Sequence, residues 1–402
     1  MFKRMIALLL VLAAAHGSAL ANEADAPMET EVPLSLSSPS LILTEAGTGR
    51  VIFEQDADER RPVASVTKVM TILLTLEAID DGRVKTGDSV AISQHAMSMG
   101  GSQAFLEAGK TYALGELLKS MIVASANDSA VALAEHLDGT EEAFVRRMNA
   151  RAQELGLTNT HYVNCTGLPA QGHYTTARDV ATLSAQLDRH PLYYEYSTIW
   201  MDEIRHSGGR VTQLTNTNKL IRFYSGCDGY KTGSTNEARY CIAATAKKDG
   251  MRLIAVVLGA SASQTRFDEA RAMLDYGFAS YLLFSPVQEG DSLEMSVPVR
   301  LGGRDEVGVV SGGSCELLLH RGEEGEVTLE AALVESADAP VRKGDALGEL
   351  RVLLRGEQVA AIPAVAGETV ELPGLLGALI RIRDGFMLGS FARAPVAQEI
   401  AN

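Results

Sequence analysis

The sequence predicts an α+β protein: an antiparallel sheet covered by helices, then a small all-β domain and a C-terminal amphipathic segment. Three observations carry this. Strand-like runs lie at both ends of the first 284 residues, with helical periodicities between them. Near Pro286 the pattern changes to short alternating runs separated by turn residues. After Pro373, the stretch from Leu375 to Phe391 mixes apolar residues with Arg381 and Arg383.

Taken in order, Lys3 and Arg4 precede the apolar run Met5 to Ala15, and Ala19-Leu20-Ala21 supplies the small residues of a signal-peptidase site. The run is well below the roughly 20 residues that span a bilayer. Residues 1–21 therefore read as a secretory signal peptide, with the mature chain starting near Asn22, outside the cytoplasm. Residues 22–32 are polar and acidic and read as a flexible leader. The first domain is placed at 33–284. Leu41-Ile42-Leu43 and Val51-Ile52-Phe53 form two strands around the turn Glu45-Ala46-Gly47-Thr48-Gly49. A helix is expected from Ser65 to about Asp80, with Val69, Ile72, Leu73 and Leu76 at helical spacing. Further helices fit 114–122, 128–137, 141–155 and 177–187, followed by strands at 226–231, 239–247 and 252–258 and a helix at 266–278.

The β-rich second domain is placed at 285–371. Runs such as Glu316-Leu317-Leu318-Leu319 and Glu326-Val327-Thr328-Leu329 are separated by turns such as Gly302-Gly303 and Lys343-Gly344-Asp345. The last segment, 374–392, reads as an amphipathic helix lying on a membrane surface. The alternative is a helix packed on the second domain or a frayed tail, since Gly377, Gly385 and Gly389 weaken helicity.

A chain of 402 residues is long enough for one large core plus a smaller second domain. Its formal net charge of −15 argues against a nucleic-acid partner, which needs a basic face to neutralise phosphates. Any anionic substrate must then be held by local Lys or Arg. Cys165, Cys227, Cys241 and Cys315 lack CxxC spacing, and no histidine sits in a metal-ligand pair, so no metal or cofactor is inferred. Cys227 and Cys241 flank one short segment and could form a disulfide in an oxidising compartment. The apolar residues around Cys241 favour two buried thiols instead.

The chemistry starts at Ser65-Val66-Thr67-Lys68. Residues i and i+3 share a helix face, so Ser65 and Lys68 point to one place. A serine hydroxyl is a weak nucleophile until a base takes its proton, and a lysine with a depressed pKa can do so. The helix N-terminus favours an anion forming at Ser65. Alone, such a pair more often means a capping serine and a surface lysine. Two companions change the weighting. Ser125-Ala126-Asn127 lies between two helical patterns and brings a hydroxyl and an amide to a cleft mouth. Lys231-Thr232-Gly233 lies on an expected strand: a cation, a hydroxyl for a carboxylate, and a glycine that lets backbone approach closely. Order, spacing and element type agree with the three-part serine–lysine motif of penicillin-interacting enzymes.

With these residues the chain resembles the low-molecular-mass penicillin-binding proteins that act as serine-type D-alanyl-D-alanine carboxypeptidases. The likeness extends through Gly100-Gly101-Ser102, Phe105-Leu106-Glu107, Ser125-Ala126-Asn127-Asp128, Asn164 with Gly167-Leu168, and His173-Tyr174 with Thr176-Ala177-Arg178-Asp179. It ends in Thr215-Asn216-Thr217-Asn218-Lys219-Leu220 and Asp228-Gly229-Tyr230-Lys231-Thr232-Gly233.

The resemblance implies roles. Ser65 attacks the carbonyl between the two D-alanines of a peptidoglycan stem peptide, forming an acyl-enzyme, and Lys68 accepts its proton. Ser125 relays a proton to the leaving amine. Asn127 holds the substrate amide and Lys68, Lys231 raises the local potential, and Thr232 contacts the terminal carboxylate. The oxyanion sits between the N–H groups of Ser65 and Ser234, with Gly233 between Thr232 and Ser234. Arg266 matches an arginine that helps bind the carboxylate in relatives; a helix-start arginine in a surface pair is the other reading. His173 and Arg178 read as structural, and Cys165 as a packed thiol. β-lactams acylate the same serine. By the same resemblance the enzyme works outside the cytoplasm in the cell envelope, peripheral on the outer face of the cytoplasmic membrane, and regulates cell-wall cross-linking. A serine β-lactamase and a non-catalytic penicillin-binding module are the rival readings. The second domain argues against the first rival and the complete set of motif residues against the second. Endopeptidase action on cross-links would use the same chemistry.

Overall fold

The computed structural model describes residues 34–374 together with Gly377 and Leu379. The expected signal peptide and leader lie outside the described residues, as does the 374–392 segment except for Gly374, Gly377 and Leu379. No helix among the described residues is long and apolar enough to cross a membrane.

The first domain is built on one five-stranded antiparallel sheet in the order Val51–Gln55, Ser40–Glu45, Met251–Ala260, Arg239–Lys248, Cys227–Thr235. The domain's first hairpin thus pairs with the domain's last strand, closing it. The strands 239–248 and 251–260 read as near-continuous apolar runs because both faces of the sheet are covered. Helix Ser263–Ser280 lies close over one face: a Cβ on Gly277 would meet Leu253 at 2.5 Å and Leu43 at 3.1 Å.

The main core on the other side is centred on helix Lys68–Asp80. Val69, Met70, Ile72, Leu73, Leu74 and Leu76 are all buried, so this helix is apolar around nearly its whole circumference rather than along one stripe. A 3₁₀ turn, Ala64–Thr67, leads into it and carries Ser65, so the regular helix starts at Lys68. Helices Leu114–Val123, Asn127–Asp138, Glu141–Glu154 and Ala177–Ala185 surround it. Thr140 and Thr176 cap two of them by accepting the N–H of Ala143 and Asp179.

Strand Tyr281–Val287 follows the last helix directly and pairs with Cys315–His320. Beyond it, a six-stranded sheet encloses a separate core of Val297, Val307, Val309, Leu350, Val352 and Ile362. The architecture is therefore a helix-and-sheet domain followed by an all-β domain. Arg50 Nη1 donates to the carbonyl of Leu318 at 2.7 Å, tying the first hairpin to the second domain.

One hairpin differs from expectation, while the cysteines follow the favoured reading of buried thiols. The hairpin Met201–Arg205 with Val211–Thr215 was not anticipated, because each strand sends only one apolar side chain, Ile204 or Leu214, into the core. No disulfide links Cys227 and Cys241, and all four cysteines are buried free thiols. Cys227 lies opposite Ala246 and Cys241 opposite Gly233, so the sheet register keeps the two apart.

Candidate active site

Ser65 is half-buried where three elements meet: its own turn, the loop before helix Asn127–Asp138, and strand Cys227–Thr235. Two of these hold residues with left-handed backbone, Ala64 (φ 51°) and Ser125 (φ 63°). A non-glycine residue is strained there, a condition that clusters at functional sites.

Lys68 is fully buried, and its Nζ has three oxygen neighbours: Ser65 Oγ at 2.9 Å, Asn127 Oδ1 at 2.6 Å and the Thr166 carbonyl at 2.7 Å. Asn127 is oriented because its Nδ2 donates to the Gly100 carbonyl at 2.6 Å, which leaves Oδ1 facing the lysine. Burial lowers the Lys68 pKa to about 7, against smaller upward pulls from Cys165 and Asp128. A neutral amine has two N–H donors and one lone pair. Asn127 Oδ1 and the Thr166 carbonyl accept the two donors, and the lone pair is left for the Ser65 hydroxyl.

On the opposite wall, Lys231 Nζ donates to Ser125 Oγ at 2.8 Å and to the Thr232 carbonyl at 3.0 Å. Burial, with Lys68 and Arg266 adding repulsion, holds Lys231 well below the usual lysine range. Thr232 Oγ1 donates to Thr217 Oγ1 at 2.8 Å. Gly233 is required by proximity, because a Cβ there would lie 2.5 Å from the Val63 carbonyl oxygen and 2.9 Å from the Ser65 nitrogen. The edge strand thus runs directly against the nucleophile turn, and Ser234 follows on it, exposed.

Seven expected residues therefore meet in one place: Ser65, Lys68, Ser125, Asn127, Lys231, Thr232 and Gly233. Arg266 does not form the surface pair of one sequence reading. It is buried, not in a surface pair, and its Nη1 donates to the carbonyls of Gly233 (2.9 Å) and Cys241 (3.2 Å). It braces the strand that carries Lys231 and Thr232. Two contributors were not singled out from sequence: the Thr166 carbonyl, which no side-chain pattern reveals, and Thr217. The latter is pinned between buried Asn216, whose Nδ2 donates to the Ser197 and Ile199 carbonyls, and buried Asn218, whose Nδ2 donates to the Gly229 carbonyl.

The neighbouring groups are held by partners of their own. His173 Nε2 lies 2.8 Å from Thr67 Oγ1, its Nδ1 accepts the Val163 N–H at 3.2 Å, and burial lowers its pKa to about 4. Arg178 forks onto Asp58 and Glu54. Burial raises the Cys165 thiol well above its ordinary value, which keeps it protonated.

The chain is similar to known proteins along most of its length. Residues 26–262 match the family model for D-alanyl-D-alanine carboxypeptidase, and residues 281–372 match that for the C-terminal domain of penicillin-binding protein 5. The chain is 40% identical to D-alanyl-D-alanine carboxypeptidase DacF of Bacillus subtilis, over 87% of this chain and 90% of that one. It is 32% identical to D-alanyl-D-alanine carboxypeptidase DacC of Escherichia coli, over 90% of each. Among solved structures, penicillin binding protein 5 from Haemophilus influenzae superposes with a TM-score of 0.73 at 28% identity, covering 85% of this chain and 99% of that one.

Proposed function

The chain belongs to the D-alanyl-D-alanine carboxypeptidase family of serine peptidases, and from that premise we propose how its residues divide the reaction. The activity is hydrolysis of the terminal D-alanine from D-Ala-D-Ala peptides through an acyl-serine, with penicillin binding at the same centre. In our reading Ser65 is the nucleophile and Lys68 its general base. The observation that carries this is the set of three contacts at Lys68 Nζ, which directs a lone pair at Ser65 Oγ when the amine is neutral.

Attack of Ser65 Oγ on the scissile carbonyl transfers its proton to Lys68. The oxyanion is received by the N–H groups of Ser65 and Ser234; one such donor is typically worth about 10²–10³ in rate. The leaving D-alanine amine takes a proton from the Ser125 hydroxyl, which is replenished from the lysines. Asn127 holds the substrate backbone as well as Lys68. Thr232 and Ser234 receive the terminal carboxylate, whose charge raises the Lys231 pKa on binding and so favours its ammonium form. Arg266 supports this subsite from behind through the Gly233 carbonyl. Water then attacks the acyl-enzyme by the reverse proton path.

The same proposal places residues 1–21 as a signal peptide, 22–32 as a leader, 33–284 as the catalytic domain and 285–371 as the β-rich domain. It also has segment 374–392 bind a membrane surface, so that the enzyme works on peptidoglycan from the outer face of the cytoplasmic membrane. The apolar and basic composition of that segment supports the membrane contact.

The test is D-alanine release from an N-acylated L-Lys-D-Ala-D-Ala peptide by the mature protein, beside Ser65→Ala and fluorescent-penicillin labelling. Release and labelling that both vanish in the variant support the assignment. Labelling that persists in Ser65→Ala removes Ser65 as the nucleophile.

A further inference from the structure

We propose that Glu141 is a positioning residue for the Lys68 amine, acting through the backbone of Cys165 and Thr166; this rests on the reading of Lys68 as the base. Glu141 opens helix Glu141–Glu154, and its Oε1 accepts the Cys165 N–H at 3.1 Å. Its other oxygen lies 2.9 Å from His95 Nε2, which fixes the carboxylate from the outer side. The carbonyl of Cys165 accepts Thr71 Oγ1 at 2.7 Å, and Thr71 lies three residues after Lys68 on the same helix. The next carbonyl along, that of Thr166, accepts Lys68 Nζ at 2.7 Å. Lys68 and Thr71 therefore grip two consecutive carbonyls of one segment, while Glu141 holds that segment from the opposite side. Asn164 Oδ1 completes the turn by accepting the N–H groups of Thr166 at 3.2 Å and Gly167 at 2.7 Å.

The geometry gives Glu141 a task beyond that of an acidic residue in a first helical turn. Such a residue stabilises its helix from any outward rotamer, but this one reaches across to another segment. Cys165 is fully buried with the carboxylate in place, so its N–H depends on Glu141 rather than on water, and truncating Glu141 takes that acceptor away. The segment must then shift to find another acceptor, and the Thr166 carbonyl moves with it. An amine that loses this acceptor can rotate, and its lone pair no longer points steadily at Ser65 Oγ.

The experiment measures penicillin acylation per active serine, with active sites titrated so that misfolded protein is not counted. Glu141→Ala is expected to slow acylation per titrated serine about tenfold, the order of one displaced hydrogen bond. Glu141→Gln keeps an oxygen acceptor and is expected to stay near the wild-type rate. If Glu141→Ala does not fold, Glu141→Asp decides: it keeps the helix-terminal charge but is one methylene short of the Cys165 N–H, and the same slowing is expected. A wild-type rate per serine in the shortened variant overturns the proposal, and so does a Gln variant as slow as the Ala variant. Lys68→Met is run alongside. If it acylates at the wild-type rate, the base assignment itself has failed, a result separate from failure at Glu141.

Discussion

Lys231 Nζ stands 2.8 Å from Ser125 Oγ, and Ser125 holds that place with a left-handed backbone. The pair mirrors Lys68 and Ser65 across the cleft, 2.9 Å apart. Each hydroxyl thus faces its own buried lysine, and the charge of Lys68 opposes protonation of Lys231. In the proposed reaction the Lys231–Ser125 pair carries the proton from Lys68 toward the leaving group.

Ser125→Ala removes that hydroxyl without changing either lysine. General-acid contributions of this kind are about 10²–10⁴-fold, so D-alanine release is expected to fall within that range. Penicillin labelling of Ser65 should persist, only slower. Release at more than half the wild-type rate would exclude Ser125 from the proton path.

The pH dependence follows from Lys68. Only its neutral form accepts the Ser65 proton, and burial lowers its pKa to about 7. Acylation is therefore expected to rise with pH through about 7 and then level off. Stability runs in the same direction. The unfolded chain keeps this proton up to the ordinary value of 10.5 while the folded protein releases it near 7, so between those values the unfolded state binds more protons and stability grows with pH. Penicillin acylation rates and urea unfolding measured across this window test both statements. An acylation rate flat between about pH 6 and pH 8 would rule out Lys68 as the titrating base.

Much of this site was legible because its chemistry sits on side chains at fixed spacing: Ser65 with Lys68, Ser125 with Asn127, Lys231 with Thr232 and Gly233. The sheet was legible because Arg239–Lys248 and Met251–Ala260 are covered on both faces and so read as apolar runs. What the sequence hid is backbone and side-chain direction. The Thr166 carbonyl is invisible in any residue pattern. Arg266 as a surface-paired cation is excluded only once its guanidinium is found donating to the carbonyls of Gly233 and Cys241. Hairpin 201–215 escaped notice because one buried residue per strand is too sparse to register as alternation.

His173 sets an acid limit. Burial first, and repulsion from His161 second, lower its pKa from 6.5 to about 4. The unfolded state binds this proton at higher pH than the folded state does, so stability is lost as pH falls from 6.5 toward 4. That gap corresponds to at most about 3 kcal/mol. His173→Gln loses part of the Thr67 contact but also this titration, so its stability should depend less steeply on pH across the window. Urea midpoints that fall in parallel for both proteins would place the acid sensitivity elsewhere.

Gly167 offers the sharpest steric test. Its φ is 81°, and an added Cβ would lie 1.9 Å from the Ala64 carbonyl oxygen and 2.8 Å from Thr67 Oγ1. Gly172 has a similar φ of 84° with nothing within 4 Å of the same position. Gly172→Ala therefore reports the left-handed penalty alone, about 1–2 kcal/mol. Gly167→Ala adds a clash with the Ala64 backbone just before Ser65 and with the Thr67 hydroxyl, and relief of that clash pushes the 164–168 turn away from the nucleophile. The Thr166 carbonyl is displaced from Lys68 at the same time. The expected result is a loss exceeding that of Gly172→Ala by about 1–3 kcal/mol, the range for overpacking, with acylation per folded molecule slowed only in Gly167→Ala. Urea midpoints and penicillin acylation rates of the two variants separate these effects. Equal destabilisation with equal acylation would mean that the turn yields without disturbing Lys68, and the close approach of Gly167 to Ala64 would then have no part in holding the base.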